Sequence, residues 1–209
     1  MRRQNRLLKN NIVTTTKSSR TPGRPRQFDP QQAVEIAQHL FHSRGYDSVS
    51  VADLTQALGI KPPSFYAAFG SKLGLYLHVL NRYTRNDAIP ISDLLRDDRP
   101  MAECLTAVLH EAARRYAADP AAAGCLVLES IRCNDPGVRT AACELHAAAE
   151  ASIKAYIARR NVHEAGRLTD YMGTVMAGLS AKARAGYSPE RLQEIVRIAG
   201  LALEQSLMG

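Results

Sequence analysis

The sequence lacks the features that would make it a membrane, secreted or metal-cluster protein. No apolar run approaches the roughly 18 residues needed to cross a bilayer, so no membrane partner is expected. No apolar h-region follows the N-terminal charges, so no secretory leader is expected. Cysteine is scarce: Cys104, Cys125, Cys133 and Cys143 are spaced by 21, 8 and 10 positions and none forms a CxxC pair. That spacing argues against zinc, and a cytoplasmic setting predicts reduced thiols. Tryptophan is absent and aromatics make up only 6% of the chain. No Gly-rich phosphate loop, HExxH or nucleophile elbow occurs, so neither an enzyme nor a resident metal or cofactor is expected. There is no strand signal longer than a few residues and no internal repeat. What remains is ordinary globular composition: 209 residues, 45% apolar and 22% charged. That excludes a wholly disordered chain, a collagen-like chain and a disulfide miniprotein. The 31 alanines tilt the expectation towards helix.

Acidic residues are missing altogether from positions 1–28, which carry Arg2, Arg3, Arg6, Lys9, Lys17, Arg20, Arg24 and Arg26. The chain as a whole is +7, so the remainder, with 19 basic against 20 acidic side chains, is almost neutral. The excess positive charge therefore belongs to one polar arm, expected to be flexible when free and to meet a polyanion. Within it, GRPR at 23–26 stays extended, and its two arginines suit a narrow groove of double-stranded DNA. Arg24 and Arg26 are the candidate minor-groove residues.

A compact helical unit follows. Asp29 is a good N-cap, Pro30 suits the first helical position, and Gln32 stands where a capping box places it. Ala33, Ile36, Ala37, Leu40 and Phe41 mark one face of the first helix, which Gly45 ends. Ser50 caps a second helix with Asp53 in the reciprocal position, and Gly59 breaks it. Pro62 and Pro63 begin a very short third helix through Phe69, and Ser71 caps a fourth. Two short helices joined by a Gly-containing turn, about residues 50–69, have helix-turn-helix geometry. A helix about 10 Å long is too short to stand alone, but it fits a major groove when its neighbour holds it. In that geometry Lys61, Pro62, Pro63 and Ser64 lead into the groove.

The segment GRPRQFDPQQAVEIAQHLFHSRGYDSVSVADLTQALGIKPPSFYAAFGSKLGLYLHVLNRY, residues 23–83, resembles the N-terminal domain of the tetracycline-repressor (TetR) family of bacterial regulators. The resemblance rests on LF…GY at 40–46, S-V-x-D-L, A-L-G-I, S-F-Y-x-x-F and S-K-x-x-L-Y in order. It implies an all-α protein: a helix-turn-helix domain, then a helical domain that binds a small effector and forms a homodimer. About nine helices are expected. The corresponding segments are the arm 1–28, the DNA-binding domain 29–86 and the effector and dimerisation domain 87–209. The resemblance further implies that Tyr66, Lys72, Ser50 and Thr55 lie near backbone phosphates, positioning contacts that carry little sequence information. The third helix has no Arg, Asn or Gln to read bases, so readout leans on Lys61 and the arm. The sequence departs from the pattern at Leu73 and Gly74, where many members have an acid and an alanine. The fourth helix thereby loses a dipole interaction worth about 0.3–1 kcal/mol.

The second half reads as further helices: 101–118, a short buried one at 124–132, a long one through about Arg160, 167–185, and a last one capped by Ser188 with Pro189 first. By helical phase Tyr116, Cys143, His146, Met172 and Met176 are the candidate pocket residues for a small, mostly apolar effector. Leu192, Ile195, Val196, Ala199 and Leu203 form the last helix's apolar stripe and are the candidate dimer interface, with Gly178, Ala181 and Gly200 permitting close approach. His39, His42 and His78 read as packing or surface residues. The leading function is a dimeric repressor of an inverted-repeat operator, in the cytoplasm of a bacterium. A second reading keeps that fold but signals redox state or metal through Cys125 and Cys133. A third, a helical enzyme or carrier with a basic tail, requires a catalytic constellation that the sequence does not contain.

Overall fold

The computed structural model describes residues 29–208, and over that range the fold is all α-helix. The helices are α1 (Pro30–Arg44), α2 (Val51–Leu58), α3 (Pro62–Phe69), α4 (Lys72–Asn86), α5 (Ile91–Leu94), α6 (Met101–Tyr116), α7 (Leu126–Ser130), α8 (Pro136–Arg160), α9 (Ala165–Arg184) and α10 (Pro189–Met208). Two of the ten, α5 and α7, are single short turns, and Pro120–Ala122 is a 3-10 turn. Short α5 lies inside the Pro-containing stretch 87–100, ahead of α6.

The caps explain the boundaries. Asp29 accepts the Gln31 N–H, Ser50 and Asp53 form a reciprocal capping box, and Asp135 accepts the N–H groups of Gly137 and Val138. Gln32 makes no such box, so α1 relies on Asp29 alone. Gly45 and Gly59 have φ of 78° and 64°, a region where L side chains are strained, and each stops its helix there.

Two cores form. In the first, Phe41, Tyr46 and Tyr76 pack edge and face, with ring centroids 4.9–5.6 Å apart. Each such pair contributes roughly 0.5–1.5 kcal/mol beyond burial. Phe65 and Phe69 anchor α3 to this core. The cluster does not stop at residue 86: Leu126, Val127, Cys133, Val138 and Ala142 of α7–α8 belong to it. The second core gathers α6, α9 and α10, with Tyr156 and Ile157 of α8.

The joint between the two halves is polar and tight. Asp47 accepts the Asn134 N–H at 2.9 Å and Tyr46 donates to Asp135 at 3.0 Å. Tyr76 bonds Ser130 in the interior. The Ser130 hydroxyl donates to the Leu126 carbonyl, so Tyr76 is the donor to Ser130. Also at the C-terminal end of α1, Arg184 of α9 donates to the carbonyls of His42 and Ala123. Burial lowers the His42 pKa to about 4, so the ring is neutral at pH 7. It sits 3.2 Å from the Gly124 carbonyl through Nε2, which must carry the proton.

The departure at Leu73 and Gly74 has a steric cause. A Cβ at 74 would lie 2.1 Å from the Phe69 carbonyl oxygen, where α3 turns into α4. Leu73 in turn lies where a Cβ on Gly137 would approach its Cδ2 to 2.7 Å, so the start of α8 docks directly on α4. Gly74→Ala is therefore expected to destabilise the fold by about 1–3 kcal/mol, even though Ala is the better helix former. Urea unfolding checks the sign; a more stable variant would show that the α3–α4 turn relaxes freely.

Candidate functional site

α3 divides sharply into two faces. Phe65 and Phe69 are buried, whereas Lys61, Pro62, Pro63, Ser64, Ala67 and Ala68 are exposed and Tyr66 is 51% exposed. Apolar residues at i and i+4 are enough to fix such a short helix, because α2 and α4 supply the rest of the packing. The Tyr66 ring stands edge-on to Phe65, which directs the hydroxyl outward. Lys61 is the N-cap of α3 and makes no side-chain cap bond. The first turn of α3 thus offers a cation and a hydroxyl on one side, both suited to an anion, while Pro62 and Pro63 have no N–H and those of Ser64 and Phe65 bond the Lys61 carbonyl.

Other sequence-selected residues are placed differently. Thr55 is 8% exposed and donates to the Ala52 carbonyl at 3.0 Å. It is a buried part of the α2 face, so its hydroxyl does not reach a phosphate. Helical phase placed it on α2, but burial is decided by α1 and α3. The Ser50 hydroxyl is exposed but occupied by the capping box. Those bonds, helped by Arg44, hold the Asp53 pKa down to about 2. Lys72 is half-buried, with its ammonium 3.9 Å from the centroid of the Tyr46 ring. Burial lowers its pKa, opposed by Asp47 and Asp135. It is a partly packed cation at the start of α4, not a freely exposed one. Arg24 and Arg26 lie outside the described residues.

A cavity of about 160 Å³ opens where α4, α5, α6, α8 and α9 meet. Tyr116, His146 and Met176 line it, as does Cys125. Cys143 and Met172 do not: Cys143 is exposed on α8, and Met172 is fully buried in the second core. α8 is long and turns only part of its length towards the cavity. Three residues, about 60° of helical phase, separate His146 from the outward Cys143. The sequence reading missed the α4 wall, Tyr83 and Thr84, the residues Ala88, Ile89 and Ile91, and the pair Glu150 and Thr169. Tyr83 was visible in the α4 stripe, but nothing local marks a core residue as cavity wall.

The dimer stripe needs correction. Leu192, Val196, Ala199 and Leu203 are all buried inside the protomer, in the core that α10 shares with α6, and Ile195 packs against that core. Gly200 belongs to the same contact, since a Cβ there would sit 2.9 Å from Thr106 of α6. The amphipathic stripe marks the face that packs first, and α6 takes it. The opposite face of α10 leaves Ile198 58% and Leu201 53% exposed. On α9, Ala177, Gly178 and Ala181 are exposed, and Gly178 has open space where a Cβ would be.

Cys125 and Cys133 are both free thiols with different partners. The Tyr83 hydroxyl points to the Cys125 sulfur at 3.5 Å, and the Cys133 thiol to the Asp135 carbonyl at 3.4 Å.

Comparison with known proteins agrees with this geometry. Residues 34–79 match the sequence model described as "Bacterial regulatory proteins, tetR family". The chain is 54% identical over 195 residues to the HTH-type transcriptional repressor BdcR of Escherichia coli K12, covering 93% of this chain and 99% of that one. It is 30% identical to the HTH-type transcriptional repressor ComR of the same organism, over 83% of this chain and 88% of ComR. Among solved structures it resembles a cysteine-substituted TetR family regulator CifR complexed with 26 bp of operator DNA. There the TM-score is 0.76 and the identity 34%, over 86% of this chain and 99% of that one. With the split α3, the capping-box α2 and these full-length likenesses together, the chain belongs to the tetR family of bacterial regulatory proteins.

Proposed function

We propose that this protein is a transcriptional repressor that binds operator DNA through α3 and is released by a small molecule in the cavity beside α4. The observation that carries this reading is the division of α3. Its phenylalanines are buried while Lys61, Ser64 and Tyr66 face outward at the helix N-terminus. The relative BdcR is a transcriptional repressor, and CifR is seen on operator DNA. Lys61, Pro62, Pro63 and Ser64 enter the major groove, Tyr66 and Lys72 take phosphates, and Arg24 and Arg26 of the arm take the minor groove. Regulation, not catalysis, is its role, and the cytoplasm is its place. No described helix is long and apolar enough to cross a membrane.

Release follows from differential affinity. Tyr83 is both cavity wall and part of α4, so a ligand that prefers one setting of α4 shifts the recognition helix with it. The acting species is a homodimer, with the second copy covering Ile198 and Leu201 of α10 and the small residues of α9. Two α3 helices then meet half-sites about one helical turn apart.

Four outcomes test this reading. Fragments selected from genomic DNA by the full chain are expected to share an inverted repeat. Removing residues 1–28 should flatten the dependence of log affinity on log salt by about 0.9 per lost phosphate contact. An unchanged slope would make the arm a passive tail.

Tyr66→Phe should weaken operator and random duplex alike, as a phosphate contact must, whereas Lys61→Ala should weaken the operator more than random DNA. Fluorescence anisotropy on both duplexes separates the two; the reverse pattern would exchange their places in the groove.

Leu201→Glu should give monomers in sedimentation with native helix content and at least tenfold weaker operator binding. Ala199→Arg, at a site 5% exposed within the protomer, should instead unfold the chain. A dimeric Leu201→Glu protein would move the interface elsewhere.

A further inference from the structure

The hydroxyls lining the cavity have a common property: their protons are already used. The Thr84 hydroxyl donates to the Asn81 carbonyl at 3.0 Å and Thr169 to the Ala165 carbonyl at 2.7 Å. The Tyr83 hydroxyl donates to Cys125, and Tyr116 bonds the same thiol, against which a phenol is the stronger donor. Each of these oxygens keeps lone-pair capacity.

At the rim stands Glu150, an acceptor only when ionised, its carboxylate paired with His146 Nδ1 at 3.4 Å. That pairing turns Nδ1 of the imidazole towards the carboxylate. Gly173 makes room for this arrangement, since a Cβ there would lie 3.0 Å from Glu150 Oε1. Among the described residues, no lysine or arginine lines the cavity.

From this wall of acceptors we infer that the effector is a small amine, bound as its ammonium ion. The inference rests on the ligand-released repressor described above and names its ligand class. A carboxylate or phosphate would face Glu150 and the lone pairs of four hydroxyls with no cation in reach, a repulsive arrangement. An ammonium brings donors and the complementary charge. Glu150 is 44% exposed in its side chain, so the ammonium keeps part of its hydration while the hydrocarbon part enters the cavity. The volume of about 160 Å³ is close to that of an engineered protein cavity that accepts benzene. The hydrocarbon part is thus one six-membered ring or a short chain.

The test uses the full chain on its selected operator duplex, titrated with benzylamine, benzyl alcohol and benzoate, three probes of one shape and three charges. Benzylamine is expected to release DNA and raise the melting temperature at a concentration at least tenfold below benzyl alcohol, with benzoate inactive. Glu150→Gln keeps the shape, removes the charge and should abolish the tenfold preference while leaving ligand-free DNA binding unchanged. Gly173→Ala, which crowds the carboxylate, should weaken benzylamine more than benzyl alcohol. Release by the alcohol or the acid in preference to the amine would overturn the ligand class but keep the ligand-released repressor. So would an amine preference that survives Glu150→Gln. If none of the three probes moves either the operator curve or the melting temperature, both readings fall. Covalent labelling of Cys125 by an electrophile with release of DNA, alongside inert amines, would overturn the amine in favour of the thiol.

Discussion

Everything in this structure depends on α4 packing into the DNA-binding core while forming one wall of the cavity. Its first half, through Leu75, Tyr76 and Val79, closes the core that holds α1, α2 and α3. Its last turns, through Tyr83 and Thr84, border the cavity. A helix is stiff over its 15 residues, so a displacement at Tyr83 cannot be absorbed locally. It would tilt the helix about its Lys72 end and so reorient α3, which joins it through the tight turn at Gly74.

The rest of the joint limits where that motion can go. At the Lys72 end, Leu73 is seated on Gly137, Tyr46 on Asp135 and Asp47 on the Asn134 N–H, so α4 is pinned to the start of α8. At the Tyr83 end the contacts are with the 123–127 segment, held by His42, Arg184 and Ser180. A helix pinned at one end and contacted by a ligand at the other pivots rather than slides. That makes the neutral state of His42 significant, because a charged imidazole beside Arg184 would weaken the clasp. The packing does not follow a boundary between 29–86 and 87–209. α7 and the start of α8 belong to the core of the first domain.

Small residues are placed by what must come close. Gly74 admits a carbonyl, Gly137 a leucine, Gly173 a carboxylate and Gly200 a threonine. Gly178 on α9 has nothing within 4 Å of a Cβ position among the described residues, as has Gly166, and so leaves room for a second copy. A glycine in a helix costs roughly 0.5–1 kcal/mol relative to alanine, so each close approach must return at least that much in packing.

The sequence alone determined the helices and their order, because caps, breaks and 3.6-residue periodicity act over a few residues. Ser50 with Asp53, Asp135 with Pro136, and Gly59 all do locally what their chemistry dictates. The outward set on α3 was legible for the same reason: a helix of two turns has only one face left once Phe65 and Phe69 are buried. Tertiary structure decided which apolar stripe meets which. The stripe of α10 reads from the sequence as a dimer interface, but only the fold shows that α6 occupies it and that Ile198 and Leu201 remain exposed. The same holds for Thr55, Cys143 and Met172. Helical phase fixes the direction of a side chain relative to its own axis. Whether that direction leads to solvent, core or cavity depends on neighbours 30 to 100 residues away, and no local pattern encodes them.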